Sequence, residues 1–192
     1  EELSKTSFGP NVLAAGSCED LDHMLKTGWR KRQPIVQGVK SAVELSLHQP
    51  RGGRTSLRMQ AWPSDARNAP AVVEEPPVLI ATAPVPVRAG QIIRVIGWTR
   101  LPQSLEGTRD GLLIYDTFGG LALAARVRAA GGWRQFTLYR AATRDGRFSV
   151  SFALTGLGEA WLDEVSVSIL DKSARGMPTD SFTAGPRVPS RR

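Results

Sequence analysis

Glycine and proline interrupt this chain at short intervals, 19 and 13 of them in 192 residues, and the apolar segments between them are mostly strand-sized. That spacing predicts an all-β sandwich or barrel. Expected strands cover residues 42–47, 55–62, 78–82, 91–100, 112–116, 121–126, 134–141, 148–154 and 161–170. One short helical turn is expected within residues 19–27, where Leu21, Met24 and Leu25 recur at helical spacing before Gly28. The stretch 63–77 carries Pro63, Pro70, Pro76 and Pro77 and reads as a long loop or an edge, because proline donates no ladder hydrogen bond. Pro84 and Pro86 mark a second edge.

Period-two alternation assigns faces. In the last expected strand Trp161, Asp163, Val165, Val167 and Ile169 share a face opposite Leu162, Glu164, Ser166 and Ser168. An acidic pair at the start of an otherwise apolar row points to a ligand or metal near a sheet end. In 91–100, if Ile93 and Val95 face the core, Trp98 and Arg94 lie on the outer surface. An aromatic ring beside Gln, Thr, Tyr and Arg suits a sugar, whose C–H face packs on a ring while its hydroxyls need donors and acceptors.

A chain of this length is one domain, burying about two thirds of its unfolded surface, so folding obliges neither metal nor disulfide. Cys18 is the only cysteine, which removes an intrachain disulfide and a cysteine-based zinc site. No apolar segment approaches the roughly 20 residues of a bilayer span. The first residues lack the basic start and apolar run of a secretory signal, so the chain reads as soluble and trimmed. The net charge is +7, of which residues 171–192 carry +3 in a Ser, Thr, Gly, Pro and Arg composition that reads as a flexible basic tail. The rest is dispersed, without basic runs interleaved with aromatics or a nucleic-acid-binding motif, so bulk charge alone speaks for nucleic acid. Asp116 with Glu164 or Asp110 could supply the two carboxylates of a glycosidase, yet no spacing selects them. His23 and His48 belong to no triad or metal motif. The chain reads as a non-enzyme.

An ordered set of weak motifs carries a family resemblance. They are Asn11 with Gly16-Ser17-Cys18-Glu19 and Trp29; Gly53-Arg54-Thr55-Ser56-Leu57; Val87-Arg88-Ala89-Gly90-Gln91 leading to Gly97-Trp98; Gly132-Trp133-Arg134; and Trp161-Leu162-Asp163-Glu164-Val165. Over residues 11–170 the chain resembles the jelly-roll carbohydrate-binding modules of the galactose-binding-like superfamily, between an N-terminal extension (1–10) and the tail. The resemblance implies a two-sheet antiparallel β-sandwich of eight to ten strands, non-catalytic, within a larger secreted or cell-surface protein with neighbouring domains. It implies a structural calcium held by Glu19 and Asp163, with carbonyl oxygens from Ser17 and the Gly53–Arg54 turn. The competing reading has Glu19 pairing with Arg54 or capping a turn while Asp163 accepts backbone N–H bonds. For a glycan it implies an open sheet, with Trp98 as the stacking platform and Tyr115, Tyr139, Gln135, Arg94 and Arg58 as polar neighbours. Trp98 could equally be core, and Trp29, Trp133 and Trp161 read as core or loop anchors. Arginines in the cleft would favour an acidic polysaccharide. The alternative is a protein-interaction or structural module on the same fold.

Overall fold

The computed structural model describes residues 8–170. The tail assigned to 171–192 and most of the N-terminal extension lie outside the described residues. Twelve strands and one short helix follow in chain order: α1 (Leu21–Lys26), β1 (Arg30–Arg32), β2 (Val39–Ser46), β3 (Ser56–Pro63), β4 (Val78–Ala81), β5 (Val85–Val87), β6 (Ile92–Leu101), β7 (Leu112–Asp116), β8 (Ala125–Val127), β9 (Gly131–Ala141), β10 (Gly146–Phe148), β11 (Val150–Leu154) and β12 (Gly158–Leu170). All pairing between them is antiparallel. Sheet I has the order β1-β4-β11-β7-β8, sheet II the order β2-β3-β12-β6-β9, and β10 pairs with β5 in a small third ribbon. No helix among the described residues is long and apolar enough to cross a membrane.

The α1 helix starts where Asp20 accepts the His23 N–H and stops at Gly28, whose φ of 108° favours glycine. Alternation then builds the core. Leu57, Met59, Ile93, Val95, Leu162 and Val167 of sheet II face Ile80, Leu112, Ile114, Phe152 and Leu154 of sheet I, all essentially inaccessible to solvent. Phe136 meets Phe152 across the sandwich with ring centroids 5.8 Å apart. A Cβ on Gly97 would stand 2.7 Å from the Phe136 ring, so glycine there makes the space that the aromatic fills.

Three expectations are corrected. The 121–126 segment is a 3-10 turn at Leu121–Leu123 followed by the short β8. The expected strand at 148–154 is two, because β10 leaves for the small ribbon and β11 joins sheet I. In β12 the faces switch midway: the register shifts between Asp163 and Ser166, and Glu164 has a φ of 48°. Trp161 and Asp163 therefore lie on the outer face, opposite Arg58 and Trp98, while Val165 and Val167 point into the core. At this bulge β12 also changes partner. Its first half pairs with β3, and its second half is met by the N-terminal segment, where Val165 N–H donates to Gly16 and Val12 N–H to Val167.

Candidate functional site

Sheet II brings most of the sequence-derived sugar residues onto one outer face. Trp98 lies opposite Gln135 and Arg94 opposite Tyr139, while Arg58 flanks Trp161 on the neighbouring strand. Tyr115 is not among them, since it belongs to β7 of sheet I.

Much of that face is occupied by the protein itself. The loop between β2 and β3 folds back across it: the Arg51 guanidinium lies 4.0 Å from the Trp98 ring centroid, His48 packs on Trp161, and the Gln49 carbonyl accepts from the Trp133 indole at 2.9 Å. Arg94 lies over Phe8 at 4.4 Å, and Phe8 also packs on Tyr139. Trp161 is buried between Arg58 and Arg100, and Trp29 is buried with its indole donating to Ala14.

The carboxylates proposed for calcium also serve this loop. Asp163 is fully buried. Its Oδ2 accepts from Arg51 N–H at 2.9 Å and Gly52 N–H at 3.1 Å, and its Oδ1 from Glu164 N–H at 2.7 Å. Glu19 Oε1 accepts from Arg54 N–H at 2.9 Å, and the Cys18 carbonyl accepts from Thr55. Burial pushes the Asp163 carboxyl up, against the opposing pull of the Gly52, Glu164 and Arg51 N–H groups. Burial also raises the Cys18 thiol, with Asp163 and Glu19 adding to the effect. Calcium takes six to eight oxygens. Here N–H dipoles already fill both lone pairs of Asp163 Oδ2 and aim their positive ends at the acid pair. Among the described residues no three His, Cys, Asp or Glu side chains gather as a metal group. The Asp163 oxygens that a cation would take are thus engaged by backbone N–H groups. Chelator and added calcium are accordingly expected to leave the melting temperature within about 2 °C of its starting value, well under the shift of a ligand at 100 times its Kd; a calcium-dependent rise of about 5 °C or more would reverse this assignment.

Asp116 does not form a carboxylate pair with Glu164 or Asp110. It is buried and bonded to Arg140 at 2.5 Å and to the Phe118 and Gly119 N–H groups. Asp110 is paired with Arg126 at 2.8 Å.

Sheet I carries the open surface. Two rows cross its outer face: Arg30, Ala81, Ser151 and Tyr115, then Arg32, Leu79, Ala153, Leu113 and Arg126. The central strand β11 is small here, with Ser151 and Ala153, while Leu79, Leu113 and Tyr115 stand beside it and arginines stand on both edge strands, Arg126 paired with Asp110, so the face is a trough with an arginine-lined rim. A groove of about 420 Å³ covers the end bearing Arg32, Leu113, Tyr115, Asp110 and Glu74. Another of about 440 Å³ covers the end bearing Arg30, Ala81, Ser149 and Arg147. Among the described residues no carboxylate is in salt-bridge range of Arg30, Arg32 or Arg147. Sequence reading missed these arginines because β1 is only three residues long and fully exposed, leaving no alternation to detect.

No family model and no curated protein matches the sequence. Solved structures do match by fold. The enzymatically active domain of tailspike protein 4 of bacteriophage CBA120 aligns over 83% of this chain with a TM-score of 0.54 at 10% identity, the chain spanning only 21% of that domain. A carbohydrate-binding module of class CBM4 aligns over 74% of this chain and 86% of its own length, with a TM-score of 0.50 at 12% identity. Two packed antiparallel sheets, the strand order and these likenesses agree: the chain has a jelly-roll β-sandwich fold, shared with that carbohydrate-binding module.

Proposed function

We propose that this chain is a non-catalytic carbohydrate-binding module of a larger secreted or cell-surface protein, and that it holds an extended acidic polysaccharide in the trough of sheet I. The observation that carries the reading is the grooved face itself: Ala81, Ser151 and Ala153 at its centre, Tyr115 beside them, and Arg30, Arg32 and Arg147, which have no carboxylate partner among the described residues, around the rim. A ring face beside a shallow floor accommodates a pyranose. Guanidinium groups match carboxylate or sulfate bidentately. The fold likeness to carbohydrate-binding modules supports the glycan, and the charge of the rim supports its acidity.

Affinity electrophoresis against polygalacturonate, alginate and neutral xylan tests the reading. Retention by an acidic polymer is expected, with Tyr115→Ala and the Arg30→Ala, Arg32→Ala double variant each weakening it by about tenfold or more, for the loss of a ring contact or of charged hydrogen bonds. Retention of both variants equal to the parent would move the site elsewhere. Turnover of any of these glycans by the purified chain would overturn the non-catalytic part.

A further inference from the structure

A second groove, of about 430 Å³, lies at the far end of the outer face of sheet II, beyond the part covered by the β2–β3 loop; Trp62, Gln60, Glu159 and Gln103 line it. Trp62 is 42% exposed, an unusual state for an indole on a sheet surface. On the adjoining strand Glu159 lies directly opposite Gln60.

Arg58 organises both polar side chains. It donates to Glu159 Oε2 through Nε at 2.8 Å and through Nη2, and it is stacked on the buried Trp161. The hydrogen-bond network places the Gln60 amide oxygen toward Arg58, where it accepts at 2.8 Å, so the amide NH2 is turned away from that pair. Glu159 Oε1 has no protein partner among the described residues. One free amide donor, one free carboxylate acceptor and the exposed Gln103 amide thus border an indole plane.

We propose that this groove is a second sugar site, taking a neutral pyranose. The apolar face of the ring would stack on Trp62, and neighbouring hydroxyls would accept from Gln60 and donate to Glu159. The free Glu159 Oε1 favours a neutral ligand, because a diol donates to it whereas the carboxylate of an acidic sugar would bring it only another acceptor. Arg58 is here a positioning residue, fixing Gln60 and Glu159 before the sugar arrives. The inference rests on the sheet II groove and is independent of the trough on sheet I.

The test is fluorine NMR of the full chain labelled with 5-fluorotryptophan, the Trp62 signal being assigned by its loss in Trp62→Phe. Cellotetraose, xylotetraose, mannotetraose and galactotetraose are titrated separately, with tetragalacturonate as the acidic comparison. At least one neutral oligosaccharide is expected to shift the Trp62 signal saturably with a Kd of roughly 1 mM. Glu159→Ala and Gln60→Ala should each weaken that binding about tenfold, and Tyr115→Ala should leave it unchanged. A Trp62 signal that none of the four moves, or that tetragalacturonate moves equally, overturns the proposal. Loss of binding in Tyr115→Ala would also overturn it, by assigning the response to sheet I. Failure of the trough would leave the Trp62 titration intact.

Discussion

Replacing Asp163 with alanine is expected to lower the unfolding free energy by roughly 2–4 kcal/mol, a figure built from leaving several buried donors without an acceptor. Three backbone N–H groups, of Arg51, Gly52 and Glu164, end on this one carboxylate. Two belong to the loop that brings Arg51 onto Trp98 and His48 onto Trp161, so its release should expose both rings. Urea denaturation measures the loss, and an increase in tryptophan emission wavelength before global unfolding would report the loop. A cost below about 0.5 kcal/mol, the range of ordinary surface substitutions, would show that the carboxylate does not hold the loop.

The pH dependence has a definite sign. Burial raises the Asp163 carboxyl above its ordinary value, so between the unfolded value of about 3.9 and the raised one the folded chain binds more protons. Stability contributed by this group therefore rises as pH falls through the raised pKa. The gap between parent and Asp163→Ala should widen as the pH falls through that raised pKa toward the unfolded value.

The same carboxylate shows how far the sequence could be read. Alternation in β6 places Ile93 and Val95 inward and Trp98 and Arg94 outward, as the pattern predicts, because nothing interrupts that strand before Thr99. Alternation in β12 fails at Glu164, a non-glycine residue with positive φ and no local marker. The bulge is imposed from outside, where β12 exchanges β3 for the N-terminal segment, and it reverses the faces of Trp161 and Asp163 relative to Val165. Short strands were lost for a different reason. Three exposed residues in β1 and a proline in the middle of β5 offer no hydrophobic period, yet β1 supplies one rim of the trough. The open site was unreadable because it is a row across strands: Arg32, Leu79, Ala153 and Leu113 are scattered over 122 positions of sequence and become neighbours only through register. Trp98 was legible as an outward ring, but its cover, Arg51, arrives from a loop without periodicity.

The larger stability effect is expected at Arg140. This side chain leaves β9 on the core side of sheet II and reaches Asp116 at the end of β7 in sheet I, so the ion pair ties the two layers at one end of the sandwich. Arg140 also donates to the Tyr139 carbonyl at 2.9 Å and to the Leu123 carbonyl at 2.7 Å, and the Asp116 side chain is completely inaccessible. Arg140→Ala strands a buried carboxylate with only two backbone N–H partners, and breaking such pairs costs about 3–5 kcal/mol. Asp116→Ala removes the acceptor of the Phe118 and Gly119 N–H groups as well and should cost a comparable amount. If the charge left behind is the source of the cost, the double variant will be less destabilised than the sum of the singles, with a coupling of about 2 kcal/mol or more. Denaturant titration of the four proteins completes the cycle. Additive single effects, or an Arg140→Ala cost under about 1 kcal/mol, would mean that apolar packing alone holds the sheets together at this end.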